Sequence, residues 1–136
     1  MKVFLDTNVC LSAFFGHGLC TELLDYLLLE QCHHILVSAP VIAEFQRIAT
    51  DKFRVPHDEG VAARAFLDDF LVSAKPAPLP GDSPDLDGAP IIGAALTAGA
   101  DLFITGDKAL LALDTVENLP IRSPRDAYIL LRDLPH

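Results

Sequence analysis

Three short apolar runs, each followed at once by polar residues, constrain the fold of this chain more than any other feature. The runs cover residues 3–5, 35–37 and 102–104. An apolar run of this length is typical of a strand buried on both faces of a sheet, although a fragment of a core helix has the same composition. Stretches with helical spacing of apolar residues lie between the runs. This alternation predicts a parallel sheet with helices on both faces.

The predicted helices have recognisable starts and ends. Leucines at helical spacing indicate an amphipathic helix over residues 19–31. Ser38 and Pro40 favour a helix start, and Gly99 favours a helix end. The other predicted elements are helices over 9–15, 39–53, 58–73, 90–98, 109–113 and 124–131 and a strand at Ile121. We therefore predict an α/β protein, a three-layer α/β/α fold with a central parallel sheet of four to five strands, in one domain over residues 1–136.

The composition excludes several classes of protein. Hydrophobic residues make up 51% of the 136, which is typical of a globular chain and not of a disordered one. No apolar run reaches the roughly 18 residues of a membrane helix, so we expect no membrane span. The first residues lack the long apolar region of a secretory signal, and we expect a cytoplasmic protein. Three cysteines without a CxxC pair are expected to be free thiols.

The net charge of −9 argues against a simple nucleic-acid-binding module, because such a module usually has a basic face. Divalent cations can nevertheless lie between acidic side chains and a phosphate group. A metal-dependent nuclease is therefore compatible with this charge.

Acidic residues follow the predicted strands at the edge where open α/β sheets bind ligands. Asp6 and Asp107 come directly after apolar runs, and Asp85 and Asp87 precede the start of a helix. Glu44 falls on the apolar stripe of its helix, where a carboxylate is costly unless it is paired or metal-bound. These carboxylates are expected to converge on one site.

Simpler roles stay open for two of these acids, since Asp6 can serve as a helix N-cap and Glu44 can pair with Arg47. Converging carboxylates raise one another's pKa, and a hard divalent ion, Mg²⁺ or Mn²⁺, removes the conflict. Such an ion can activate water for attack on a phosphodiester. Asn8 and Thr105 can orient water or a ligand carboxylate. Lys108 can bind a substrate phosphate or pair with the neighbouring aspartate.

Three segments resemble the PIN domain in order and spacing: FLDTNV at residues 4–9, SAPVIAEF at 38–45 and GADLFITGDKALLAL at 99–113. They are most similar to bacterial PIN proteins assigned as toxins of toxin–antitoxin systems, the VapC-like group. The resemblance implies a Rossmann-like sheet and an endoribonuclease that depends on Mg²⁺ or Mn²⁺. It places acidic metal ligands at Asp6, Glu44 and Asp107, with Asn8 and Thr105 in support.

The resemblance also implies partners. An RNA substrate and a small antitoxin that covers the acidic site are expected. The Leu-rich helix over residues 19–31 is apolar enough to form a groove for the antitoxin or for a homodimer, although a core face has the same sequence pattern.

The chain departs from the family pattern at the third acid. The family places this acid three positions before an Ile-Ala-Ala-like triplet, here Ile92-Gly93-Ala94, and Ala89 stands at that position. Asp87, followed by the flexible Gly88, is the best substitute, and Asp85 is the second. Without either acid the site is weakened or inactive.

Three functions are compatible with these residues. The leading hypothesis is an endoribonuclease in which Asp6, Glu44, Asp87 and Asp107 hold one or two divalent ions. The alternative is a degenerate, non-catalytic PIN scaffold that binds RNA or a protein partner. A phosphorylatable receiver-like switch is disfavoured, because no strand in the middle third of the chain ends in an aspartate that could take the phosphate.

Overall fold

Strands and helices alternate along the chain, as the sequence predicts. The computed structural model describes residues 1–16, 18–30, 33–72 and 88–133. In chain order the elements are β1 (Lys2–Leu5), α1 (Thr7–Phe15), α2 (Leu19–Leu29), β2 (His34–Ser38), α3 (Ala39–Asp51), α4 (His57–Asp68), β3 (Leu71–Val72), α5 (Ala89–Thr97), β4 (Leu102–Ile104), α6 (Lys108–Leu111), β5 (Thr115–Val116), β6 (Leu119–Arg122) and α7 (Pro124–Asp133). None of these helices is long and apolar enough to cross a membrane.

The strands form a sheet with the order β3-β2-β1-β4-β6-β5. All neighbouring strands are parallel except β5, which pairs antiparallel with β6 at one edge. The predicted α/β class and its three layers are confirmed. The sheet has six strands rather than the predicted four or five. The sequence did not reveal β3 and β5, because each is only two residues long and shows no periodicity.

The first strand lies in the middle of the sheet and is buried on both faces. Val3, Phe4 and Leu5 are at most 2% exposed, although successive side chains of a strand point to opposite faces. The rings of Phe4 and Phe103 stack across β1 and β4 with their centroids 5.4 Å apart. Helices must therefore cover both faces of β1, as expected for a parallel sheet.

The predicted helix over residues 58–73 is too long. In the structure α4 ends at Asp68, the chain turns, and the carbonyl of Phe70 accepts a hydrogen bond from Val37 N at 3.1 Å before β3 begins. Phe70 continues the apolar spacing of the helix, which is why the sequence pattern does not reveal the turn. The second unpredicted feature is a hairpin between β5 and β6, whose turn consists of Glu117 and Asn118.

Because β1 and β4 are parallel, their carboxyl ends lie at the same edge of the sheet, and three helices start near this edge. The helices α1, α3 and α6 begin directly after or near the carboxyl ends of β1, β2 and β4. Asp101 lies at the opposite edge, where its Oδ2 accepts a hydrogen bond from the backbone N–H of Lys2 at 2.8 Å. Asp101 is therefore remote from the acids that follow the carboxyl ends of β1 and β4.

Candidate functional site

Asp6 joins the end of β1 to the start of α1. Its Oδ1 accepts the backbone N–H of Thr7 at 2.8 Å, and its Oδ2 accepts the hydroxyl of Thr105 at 2.7 Å. Both carboxylate oxygens are therefore occupied by donors, and only 7% of the residue is exposed. Asp6 is an N-cap, the simpler of its two predicted roles, yet its carboxylate also faces a cleft shared with other acids.

Pairing of β1 with β4 brings Thr105 and Asp107 to Asp6. Leu5 is in register with Ile104, so the residues that follow these two meet at the edge of the sheet. The hydroxyl of Thr105 donates to Asp6 and accepts the backbone N–H of Asp107 at 3.0 Å. The buried hydroxyl of Thr105 therefore holds both the carboxylate of Asp6 and the backbone of Asp107.

The loop after β4 is also held by two side chains that accept hydrogen bonds from backbone N–H groups. Asp107 Oδ1 accepts the backbone N–H of Ala109 at 2.9 Å and so caps α6. Asn8 Oδ1 accepts the backbone N–H of Gly106 at 3.2 Å. The amide of Asn8 thereby ties the first turn of α1 to the segment between Thr105 and Asp107.

Glu44, on α3, completes the acidic cleft. The cleft has a volume of about 260 Å³, and Asp6, Glu44 and Asp107 line it. Apolar side chains form the rest of its wall, on α1, α3, α5 and α6: Leu11, Ile48, Ile91 and Leu110. Carboxylates set in apolar surroundings interact more strongly with each other than they would in open water.

The pKa of the Asp6 carboxyl shows that its surroundings disfavour its charged form. Burial raises the pKa of Asp6 above its ordinary value of 3.8, and the hydrogen bonds from Thr105 and Thr7 lower it. The negative charges of Glu44 and Asp107 raise it further. The two other acids are thus close enough to disfavour the charged form of Asp6, which a cation in the cleft would reverse.

A sequence model described as the PIN domain matches residues 2–109. The chain belongs to the PIN domain family. Among solved structures it is similar to the crystal structure of VapBC2 from Rickettsia felis bound to a DNA fragment from their promoter. The TM-score is 0.60 at 16% sequence identity, and the match covers 90% of this chain and 98% of the other. No curated protein matches the chain.

This PIN domain brings together most of the residues that the sequence singles out. Asp6, Asn8, Glu44 and Asp107 line one cleft, and Thr105 is fully buried behind it. Within the described ranges, no three histidine, cysteine, aspartate or glutamate side chains already form a metal-binding group. The carboxylate oxygens are nevertheless the donors that Mg²⁺ and Mn²⁺ prefer, and the raised pKa of Asp6 fits a site for a cation.

Two predicted ion pairs do not form. Among the described residues, Glu44 makes no ion pair with Arg47 and Lys108 makes none with Asp107. Asp107 instead uses a carboxylate oxygen to cap α6, and Lys108 is exposed beside it. Contact of Lys108 with a substrate phosphate stays a prediction.

Asp85 and Asp87, the two candidates for the third acid, lie outside the described residues. Ala89 is 7% exposed and opens α5. Gly88 and Ile91 of this region line the cleft. The replacement of the missing acid by Asp87 or Asp85 stays a prediction.

Thr7 is a site residue that the sequence reasoning missed. It is 2% exposed and lines the cleft, and its hydroxyl has no hydrogen-bond partner among the described residues. A buried hydroxyl without a partner is costly, so Thr7 Oγ1 is an unpaired polar atom in the wall of the cleft. Its position between Asp6 and Asn8 was the available signal, but a threonine at a helix start is usually read as a capping residue.

Proposed function

We propose that this PIN domain is an endoribonuclease that depends on Mg²⁺ or Mn²⁺. The observation that supports the proposal is the acidic cleft, in which Asp6, Glu44 and Asp107 come from three separate parts of the fold and the charges of Glu44 and Asp107 disfavour the charged form of Asp6. A protein would not be expected to retain such a cluster for stability alone, because the like charges oppose folding.

Asp6, Glu44 and Asp107 would hold the ion, and Asp87 or Asp85 is proposed as the fourth acid. When bound, the ion supplies the positive charge that stabilises a phosphodiester in its transition state and activates the attacking water. Thr105 holds one oxygen of Asp6 in a fixed direction and leaves its remaining lone pair for the ion. Lys108 is proposed to bind a phosphate of the RNA, and its exposure supports that role.

The toxin role is also a proposal. The VapBC2 structure that this chain resembles was solved with DNA from its promoter. By analogy, we propose that a small antitoxin covers the acidic cleft of this protein in the cytoplasm. An arginine of that partner would pair with the carboxylates, since a guanidinium binds a carboxylate through two parallel hydrogen bonds. A homodimer is a further proposal, and light scattering at micromolar concentration tests it.

A gel assay on RNA tests the nuclease directly. Cleavage is expected in Mg²⁺ or Mn²⁺, loss of cleavage in a chelator, and loss in Asp6→Asn. The matched control is Asp101→Asn, which changes an aspartate at the opposite edge of the sheet and should cleave like the wild type. Cleavage that survives Asp6→Asn, or that needs no metal, contradicts the proposal.

The second candidate is a non-catalytic scaffold, which the alanine at position 89 favours. Calorimetry separates the two functions. A nuclease is expected to bind Mn²⁺ in the millimolar range or more tightly, and Asp6→Asn should weaken that binding. A protein that binds RNA but no Mn²⁺ is a scaffold.

A further inference from the structure

A second concave surface lies further along α1 and α3, two of the four helices that line the acidic cleft. We call it the aromatic groove, and it is lined by Phe14, Phe15, Phe53, Arg54, Glu59 and Phe66. Leu11 of α1 lines the acidic cleft, and Phe15 follows it on the same face. Residues four apart in a helix are separated by about 6 Å along its axis. The aromatic groove therefore begins about one helical turn from Leu11, which lines the acidic cleft.

The rings of the groove are supported from behind and open in front. Phe15 stacks on the fully buried Phe45, with the centroids 5.6 Å apart and the planes inclined by 23°. Phe53 meets Phe15 edge-on at 6.3 Å and is 48% exposed. A cavity of about 450 Å³ lies between these rings and the chain after α3. A fixed ring with a free face is a platform on which a nucleobase can stack.

The wall of the groove carries one cation and one anion, Arg54 and Glu59, in a protein whose net charge is −9. Lys52 and Arg54 flank Phe53 in the sequence, and both are exposed. A cation on each side of an aromatic ring matches the alternation of phosphate and base in a single strand.

Arg54 is held in a backbone conformation that favours glycine. Its φ is 51°, and this turn after α3 lets the N–H of Val55 reach the carbonyl of Ala49 at 3.0 Å. A glycine would take this conformation without the cost that a side chain adds. An arginine at a strained position is consistent with a functional use of its guanidinium.

We propose that the aromatic groove is a base-binding subsite for single-stranded RNA, an inference that rests on the proposed nuclease function. A base stacks on Phe53, Lys52 and Arg54 contact the adjoining phosphates, and the strand continues along α1 to the acidic cleft. Glu59 disfavours a phosphate inside the cavity but can accept a hydrogen bond from an amino group of a base. A protein segment could cover the apolar rings, but the two cations around Phe53 favour a nucleic acid.

Phe53→Trp gives a direct test, because the chain contains no tryptophan. The variant is combined with Asp6→Asn so that RNA stays intact. Titration with a short oligoadenylate is expected to quench the fluorescence of the introduced indole through stacking. Inorganic polyphosphate, which has the phosphates but no bases, should leave it unchanged. Equal quenching by both ligands, or by neither, overturns the proposal.

Binding of a labelled oligoadenylate to the Asp6→Asn protein provides the second measurement. Phe53→Ala should weaken binding roughly 5- to 150-fold, the range expected for the loss of one base–aromatic stack. Arg54→Gly should weaken binding and reduce its salt dependence without unfolding the chain, since glycine suits that backbone. The control is Ile129→Ala on α7, which truncates a residue that is 52% exposed and should bind like the parent.

The two proposals fail in different ways. If the wild type cleaves RNA and Phe53→Ala binds it as tightly as the parent, the subsite is wrong and the nuclease stands. If oligoadenylate quenches the indole but the wild type never cleaves RNA, the nuclease is wrong and the subsite stands. If the indole responds to no RNA and the protein neither binds nor cleaves it, both are wrong, and the groove is better explained as a surface for a protein partner.

Discussion

The hydroxyl of Thr105 is expected to stabilise the fold mainly through the charge of Asp6. Thr105→Val keeps the shape of this fully buried side chain and removes only its hydrogen bonds. The bond to the Asp6 carboxylate, at 2.7 Å, involves a charged group, and such bonds contribute about 1.5–3 kcal/mol. The backbone N–H of Asp107 also loses its acceptor, at a further cost of about 1 kcal/mol. The free energy of unfolding should fall by about 2–4 kcal/mol.

Urea unfolding measures this change, and a shift of the midpoint at constant slope identifies it as a change in stability. Thr105→Ser is the matched variant, because it keeps the hydroxyl and loses one methyl group, at a cost of about 0.8 kcal/mol. The valine variant should therefore be the less stable of the two.

The pH dependence of the same variant tests the cause. The hydrogen bond from Thr105 lowers the pKa of Asp6, so it stabilises the charged form. The difference in stability between the wild type and Thr105→Val should be largest at neutral pH and should shrink as Asp6 becomes protonated. A difference that does not depend on pH, or a valine variant within about 0.5 kcal/mol of the wild type, would refute the reasoning.

Three further predictions concern stability, and urea unfolding measures each of them. Burial raises the pKa of Asp6 above 3.8, so the unfolded chain loses this proton at a lower pH than the folded protein does. In a chelator, the stabilisation from the protonated Asp6 is therefore complete below pH 3.8 and is lost as the pH rises through the higher folded pKa. The Asp6→Asn variant should not show this loss of stability. Gly60→Ala should stabilise α4 by about 0.5–1 kcal/mol because nothing lies near the added methyl group, whereas Gly99→Ala should destabilise by about 1–2 kcal/mol because φ there is 75°; the same sign for both variants would contradict this. In the β5–β6 turn, where φ is 49° at Glu117 and 69° at Asn118, Asn118→Gly should stabilise by about 0.5–1 kcal/mol, and no gain would show that the turn is not strained.

Chain direction made part of the site predictable from sequence. Apolar runs before Asp6 and Asp107 mark strands, and the carboxyl ends of parallel strands always share an edge. That β1 and β4 are neighbours was not predictable, because the bond between Asp6 and Thr105 spans 99 positions. Glu44 was identified from its place on an apolar stripe, which requires only helical periodicity.

The features that the sequence did not predict depend on interactions that leave no local sequence pattern. Two-residue strands such as β3 are fixed by hydrogen bonds to a neighbour, not by their own spacing. Ser38 occupies the predicted N-cap position of α3, but its hydroxyl makes no hydrogen bond among the described residues. The aromatic groove also escaped the sequence reasoning, because Phe15 and Phe53 are far apart along the chain.

The central position of β1 has a consequence for synthesis of the protein. Asp6 leaves the ribosome long before Thr105 and Asp107, since Thr105 follows it by 99 positions. Until β4 emerges, the slot beside β1 is empty and the carboxylate of Asp6 lacks the hydroxyl that holds it. A nascent chain would therefore carry its first acid without an assembled cleft. If the protein cleaves RNA, it becomes able to do so only when most of the domain has been translated.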